Sequence, residues 1–251
     1  MAVKRSQSAS RVLSIFELVS AHQPIGVSAL AKLLDDDRSA VQRAVATLAD
    51  AGWIRLAPEP PVRWELSAHI FTMAHLPDSM TDLRQRARPV LESLREQTGE
   101  TVFLAIPDQS RFVIIESADS LHTLRMALRV GQVIGPRESA TGRAFLPYLD
   151  AQRQAAMLGH APDAKDLTEF AATRERGYGL SAGDVMPGAT NLAAAIFGAN
   201  AEPIAALVVS GPSDRLTPGR HDEIGELVSS HAAALSRSGS IVRPERAVAA
   251  E

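Results

Sequence analysis

Apolar positions recur at helical spacing in three short runs and then switch to strict alternation, all within the first 70 residues. In "ASRVLSIFELVSAH" (9–22), Val12, Ile15, Phe16 and Val19 fall on one stripe. "QPIG" breaks the chain, and "VSALAKLL" (27–34) reads as a short second helix with Ser28 at its N-cap and Leu30, Leu33 and Leu34 apolar. Three aspartates, 35–37, form a turn, and one of them can cap a third helix. At about 100° per residue, Val41, Ala44, Val45 and Leu48 share one side of that helix. Ser39, Gln42, Arg43, Ala46 and Asp50 share the other, with Arg38 at the N-terminal edge. Gly52 ends the helix. "WIRL" (53–56) and "RWEL" (63–66) then alternate as strands around the Pro-rich "APEPPV". Three helices followed by a hairpin predict a winged helix-turn-helix over residues 1–70.

A connection follows, then a longer helix over 81–99 with Leu83, Ala87, Val90, Leu91 and Leu94 inward. Pro89 predicts a kink or restart within it, and residues 71–99 read as connection and linker helix. From there the period changes. "TVFLAI" and "RFVIIES" read as a hairpin around "PDQS", and "TLRMALRV" (123–130) as a third strand. Helices are expected from "SATGRAFLPYL" and "DLTEFAATRERG", strands from "TNLAAAIFG" and "PIAALVVSG". A last helix opens with Thr217 as N-cap and Pro218 at its first position. The fold class is α+β: residues 100–238 form an antiparallel sheet flanked by helices. Residues 239–251 read as a disordered tail.

Composition narrows the function. Hydrophobic residues are 45% of 251 but aromatic residues only 4%, so the cores are built of Ala, Leu, Val and Ile. The net charge of -3 is wrong for a general polyanion binder, so any nucleic-acid contact is local. Residues 1–70 carry eight basic and seven acidic side chains, so a positive face there depends on placement. The absence of cysteine excludes disulfides, thiolate metal sites and Cys nucleophiles, and is compatible with the cytoplasm, the expected location. Glu17 interrupts the first apolar run, so no signal peptide is read, and no run approaches the length of a membrane span. Seven scattered histidines show no metal spacing, and no Gly-x-Ser-x-Gly or phosphate loop occurs. No enzyme, metal or cofactor is expected.

The outer face of the third helix suits DNA. Arg43 can fork onto guanine or reach a phosphate, Gln42 can pair with adenine, Ser39 suits a phosphate or base edge, and Ala46 lets the backbone approach. The plain alternative is a solvated polar face, which most helices with two arginines have. In the wing, Arg55 and Arg63 can reach phosphate or can pair with Glu59 or Glu65. Lys4, Arg5 and Arg11 are further phosphate candidates. A module whose winged helix contacts protein rather than DNA fits the same pattern; steep salt dependence would mark DNA.

The chain resembles the IclR family of bacterial transcriptional regulators over nearly its whole length. "VSALAKLL" and "RSAVQRAVATLADAGWI" carry the N-terminal likeness. "RVGQVIGPRESATGRAFL" resembles the family's Gly-x-x-x-Pro-Leu-His-Ala-Thr-Ala-x-Gly-Lys-Ala segment. "RERGYGLSAGDVMPGATNLAAAIFGANAEPIAALVVSGPSDRLT" carries its Arg-x-x-Gly-Tyr, Pro-Gly, Ala-Ala and Ser-Gly-Pro in order. The resemblance implies a winged helix for operator DNA, a linker helix, a GAF-like domain for a small effector, and a homodimer or homotetramer. With it, the candidate DNA contacts are Ser28, Arg38, Ser39, Gln42, Arg43, Arg55 and Arg63. It maps an effector pocket to Met126, Leu128, Arg137, Ser139, Ala140, Thr141, Ser181, Asp184, Asn191, Val208 and Ser210. The chain departs from the pattern where Pro-Leu-His becomes Gly135-Pro136-Arg137 and where the usual cysteine is Asn191. "SATG" opens a helix whose N–H groups can hold an anion, and Arg137 beside it can neutralise a carboxylate. A carboxylate effector is therefore expected. Each position has a simpler reading too: Ser139 as an N-cap, Arg137 paired with Glu138, Met126 as core.

Overall fold

The computed structural model describes residues 6–73 and 78–238. Lys4, Arg5, the tail 239–251 and residues 74–77 of the expected connection lie outside the described residues. The chain divides into two compact units, 1–77 and 78–251.

The first unit runs α1 (Gln7–His22), α2 (Val27–Leu34), α3 (Arg38–Asp50), β1 (Ile54–Leu56), β2 (Trp64–Leu66) and α4 (His69–Met73). Ile15 and Val19 of α1, Leu30 of α2, and Val41, Ala44, Val45 and Leu48 of α3 close one core with Ile25 and Ile54. Burying each larger side chain is worth about 1.5–3 kcal/mol, enough to fix the face that α3 turns outward. β1 pairs antiparallel with β2, Ile54 opposite Leu66. Ile25 exchanges two bonds with Trp64, at 3.0 and 2.8 Å, and ties the helices to the wing. The cap of α2 is Gly26, not Ser28: the Gly26 carbonyl already receives the Ala29 and Leu30 N–H groups, each at 3.1 Å. Ser28 is thus the second residue of the helix, exposed.

The second unit runs α5 (Asp78–Thr98), β3 (Thr101–Asp108), β4 (Arg111–Ala118), β5 (Val133–Ile134), α6 (Ala140–Phe145), α7 (Ala151–Leu158), α8 (Ala164–Arg176), β6 (Gly179–Ala182), β7 (Ala189–Phe197), β8 (Pro203–Pro212) and α9 (His221–Ser238). The six strands lie in the order β5-β4-β3-β8-β7-β6, and every pair is antiparallel. On one face Leu83, Ala87, Leu91 and Leu94 of α5 and Ile224, Val228, Ala232 and Leu235 of α9 meet Val102, Leu104, Leu192, Leu207 and Val209. The opposite face packs Phe103, Ala105, Ala193, Ala206 and Val208 against α6, Met157 of α7 and Phe170 of α8.

Three sequence expectations need correction. Residues 123–130 form no strand. Met126 and Leu128 do turn inward, but the chain rejoins β4 only where Gly131 N–H reaches the Ile114 carbonyl at 2.7 Å. The alternation marks a half-buried extended run anchored by a side chain: Thr101 Oγ1 donates to the Met126 carbonyl at 2.8 Å. α5 does not restart at Pro89 but continues through it as one helix, with Pro89 on its exposed side. Finally, α7 was not anticipated; Asp150 caps it through the Arg153 N–H at 2.8 Å. A short 3-10 turn, 218–220, precedes α9, with Thr217 at its cap position but no side-chain cap bond.

Candidate functional site

The three aspartates before α3 each do something different. Asp35 takes the left-handed conformation that ends α2 (φ 50°), which a short polar side chain tolerates. Asp36 grips Arg11 of α1, accepting from its Nε and, at 3.3 Å, from Nη2. That bond, then the Asp37 N–H, holds the Asp36 carboxyl below its ordinary range. Arg11 is committed to this pair rather than free for phosphate. Asp37 caps α3 through the Ala40 N–H at 3.0 Å and accepts the Ser39 hydroxyl, which is the main reason its carboxyl is held low.

Beyond that turn, Arg38, Ser39, Gln42, Arg43 and Ala46 are all exposed on α3. Arg43 Nη1 donates back to Ser39 Oγ at 3.3 Å. In the wing Arg55 pairs with Glu65 at 2.8 Å, while Arg63 stands exposed at the end of the loop. The structure thus gathers Arg38, Ser39, Gln42 and Arg43 on one helix, with Ser28 on α2 and Arg55 and Arg63 on the hairpin.

In the second unit, a cavity of about 260 Å³ opens on the face that carries α6. Phe103, Met126, Leu128 and Val208 give it an apolar wall. Arg137, Ser139, Ala140 and Thr141 border it from the loop and start of α6, and Val185 and Met186 from the loop before β7. Asn191 and Ser210 complete the lining. The register explains why: Thr101, Ser210, Asn191 and Ser181 stand opposite one another on β3, β8, β7 and β6, a polar row across four strands. Two residues before Ser181, Gly179 touches α6 directly; a Cβ there would lie 2.7 Å from the Ala140 carbonyl.

The Thr101 hydroxyl is satisfied, donating to Met126 and receiving the Ser120 N–H at 3.1 Å. Ser210 and Ser181 are not. They are 1% and 0% exposed, and neither hydroxyl has a hydrogen-bond partner among the described residues. Leaving one buried hydroxyl unpaired costs about 1–3 kcal/mol, and proteins leave few so. Other members of the expected set are occupied or set back. Ser139 Oγ donates to the Gly135 carbonyl at 2.6 Å and accepts the Gly142 N–H at 3.1 Å as cap of α6. Asp184 pairs with Arg143 at 2.8 Å, and neither Asp184 nor Ser181 is on the cavity wall. Arg137 is exposed and makes no ion pair with Glu138.

A larger cavity of about 490 Å³ lies on the other side of Arg137, toward α8. Several of its charges are already used, while Arg137, Glu138 and Lys165 carry no ion pair among the described residues. Asp163 and Asp166 form a capping box, Glu169 pairs with Arg176, and Arg143 with Asp184. The smaller cavity combines an apolar wall with unpaired polar atoms, the usual makeup of a small-molecule site. Sequence reasoning did not find Phe103, Val185 or Met186. The last two, apolar residues in a Gly- and Pro-bounded loop, carried a signal; Phe103 reads only as core.

Both halves of the chain match known families of sequence. The model "IclR helix-turn-helix domain" matches residues 8–58, and "Bacterial transcriptional regulator IclR C-terminal" matches 78–237. The transcriptional repressor IclR of Escherichia coli is 30% identical over 236 residues, covering 88% of this chain and 86% of its own. The acetate operon repressor of Salmonella typhimurium is 29% identical with the same coverage. Among solved structures, an IclR regulator from Alicyclobacillus acidocaldarius superposes with a TM-score of 0.74 at 20% identity, covering 94% of this chain and 100% of that one. The Thermotoga maritima IclR gives 0.71 at 18%, over 93% and 98%. These last two speak for the fold. The chain belongs to the IclR family of bacterial transcriptional regulators, and is a DNA-binding regulator of transcription.

Proposed function

We propose that the protein holds an operator through α3 and the wing, as a cytoplasmic homodimer or homotetramer, and that a small carboxylate bound on the sheet of the second unit changes that hold. The DNA contacts fall to Arg38, Ser39, Gln42 and Arg43, with Ser28, Arg55 and Arg63 at the margins. Repression is the favoured direction, since two relatives near 30% identity are named as repressors.

The observation that carries the effector reading is the unpaired, buried hydroxyl of Ser210 beside Asn191 on the cavity lining, next to an apolar wall. A ligand that bonds Ser210 removes a standing cost, so its binding is favoured by what the free protein lacks. Arg137 supplies the one cation on the lining and can meet a carboxylate. At about 260 Å³ the space suits a ligand smaller than the usual drug-sized occupant. The ligand shifts the unit between states through its different affinity for them. α5, which lies in this unit's core and follows the DNA-binding unit in the chain, is the element to transmit the shift.

Thermal unfolding across a panel of small acids and their amides tests this. A binder at 100-fold its dissociation constant adds about 2.7 kcal/mol. Stabilisation should follow the acids and vanish in Arg137→Ala. A panel in which no acid stabilises the protein, or in which the amides do so equally, overturns the carboxylate.

A further inference from the structure

The polarity of the hydrogen bonds at the head of α3 fixes what Ser39 can still do. A serine hydroxyl has one proton and two lone pairs. The Asp37 carboxylate can only accept, so the bond between Asp37 and Ser39 takes the hydroxyl proton. A guanidinium can only donate, so the 3.3 Å bond from Arg43 Nη1 takes one lone pair. One lone pair is left, and no proton. Asp37 is itself held in place by the Ala40 N–H at 3.0 Å, so the direction of the chain is anchored in the helix cap.

We infer that Ser39 is an acceptor-only reader of the major groove, which selects a base carrying an exocyclic amine, adenine or cytosine, next to a guanine taken by Arg43. The inference rests on the reading of α3 as the DNA-facing helix. In the major groove adenine offers its N6 amine and cytosine its N4 amine. Guanine and thymine offer only acceptors at their O6, N7 and O4 positions. Those would face the remaining lone pair of Ser39, and turning the hydroxyl round to donate would give up its bond to the Asp37 carboxylate. For the same reason Ser39 cannot donate to a phosphate, so it is a specificity residue rather than a backbone anchor. Arg43, held by Ser39 at one nitrogen, keeps its remaining N–H groups for guanine O6 and N7. The two residues are four apart, a rise of about 6 Å. The two bases they read therefore lie within about two base steps of each other.

The test uses the full chain and duplex DNA with a randomised core. Selected sequences from the parent protein should share a guanine and, at one fixed position of one strand within about two base pairs of it, an adenine or cytosine, since every base pair carries one of those amines on one strand or the other. Replacing that amine-bearing base by guanine or thymine in a selected duplex should weaken binding about ten-fold, the low end of what one good base contact is worth. Ser39→Ala should keep the guanine but reduce that discrimination to within about two-fold, with an unchanged melting curve. Ser39→Thr, which keeps the hydroxyl, should restore it. Arg43→Lys should lose the guanine. Ser39→Ala selecting the same sequences as the parent would overturn the inference while leaving the helix assignment intact. So would a uniform loss on all sequences with a shallower salt slope, which is the mark of a phosphate contact. Arg43→Lys and Ser39→Ala both selecting as the parent does would overturn the inference and leave base reading by α3, if any, to Arg38 and Gln42.

Discussion

The two units place their polar groups on opposite sides of their cores. In the first, the side chains near the surface are already bonded: Asp36 to Arg11, and Asp37, Ser39 and Arg43 in a chain. In the second, Ser181 and Ser210 are sealed inside and bond nothing described. The difference follows from the partner. DNA arrives as a large polyanion with its own ordered donors and acceptors, so the protein gains by fixing exposed side chains beforehand. A small effector, bound as proposed, would be enclosed, and the buried Ser210 hydroxyl is an atom it could satisfy.

The largest expected effect breaks the enclosed side. A Cβ on Gly142 of α6 would lie 1.8 Å from the Pro136 carbonyl oxygen, a backbone atom that cannot turn aside. Gly142→Ala must push the 135–138 loop away and should cost about 3 kcal/mol. The same loop borders the cavity, so effector stabilisation should disappear as well. Chemical denaturation with and without the bound acid measures both, and a variant that unfolds at the parent's denaturant concentration contradicts the packing described.

The second effect breaks the exposed side. Arg43→Ala should lose about 1–3 kcal/mol of preference for its guanine, measured as the affinity ratio between matched and substituted duplexes. Its melting curve should stay where it is, because Arg43 lies outside the core. An unchanged ratio takes Arg43 out of base recognition.

How far the sequence disclosed each side follows the same division. The exposed face of α3 was legible because Val41, Ala44, Val45 and Leu48 keep a strict helical angle, so Ser39, Gln42 and Arg43 had to lie opposite. The roles of the aspartates were not, because the partner of Asp36 is Arg11, 25 positions away. In the second unit, the fold class and four of the six strands, β3, β4, β7 and β8, could be read from continuous apolar runs, while β5 and β6 could not. The alternation of Met126 and Leu128 suggested a strand because period two reports which side is buried, and not whether a ladder neighbours it. Likewise, Asp184 stands close in sequence to Ser181, yet it turns to Arg143, 41 residues off. Contacts of that range leave no mark in local periodicity.

The third prediction sharpens the contrast through its sign. Ser210→Ala deletes a buried hydroxyl that has no partner, so the ligand-free protein should melt no lower than the parent, and even slightly higher. The effector should bind more weakly, by about 1 kcal/mol, the scale of one neutral hydrogen bond. Paired melting curves and titrations read both. A marked fall in the ligand-free melting temperature would mean that Ser210 serves the fold rather than the ligand.

The smallest effect lies in the acidic turn and can be read by pH. The Asp36 and Asp37 carboxyls are both held below their ordinary range, by Arg11 and by Ser39 in first place. A depressed carboxyl stabilises the fold above its unfolded value, near 3.9, and that contribution is lost as pH falls through the lower folded value. The first unit should therefore hold constant stability across the neutral range and begin to weaken only near pH 4, while Asp36→Asn lacks its share of that acid limb. Both partners of the Arg11–Asp36 pair are partly open to water, so its loss at neutral pH should move the melting temperature only slightly. Its consequence for DNA should be easier to see. Asp36→Asn releases Arg11 and removes a negative charge from the turn before α3. Binding to non-specific duplex should strengthen, and the salt slope should steepen by about one if Arg11 then reaches a phosphate. Asp37→Asn keeps an oxygen for the Ala40 N–H and should preserve the cap. Measured side by side in a salt titration, a gain confined to Asp36→Asn supports the division of labour within the turn. Equal behaviour of the two variants would show that the aspartates act only through their summed charge.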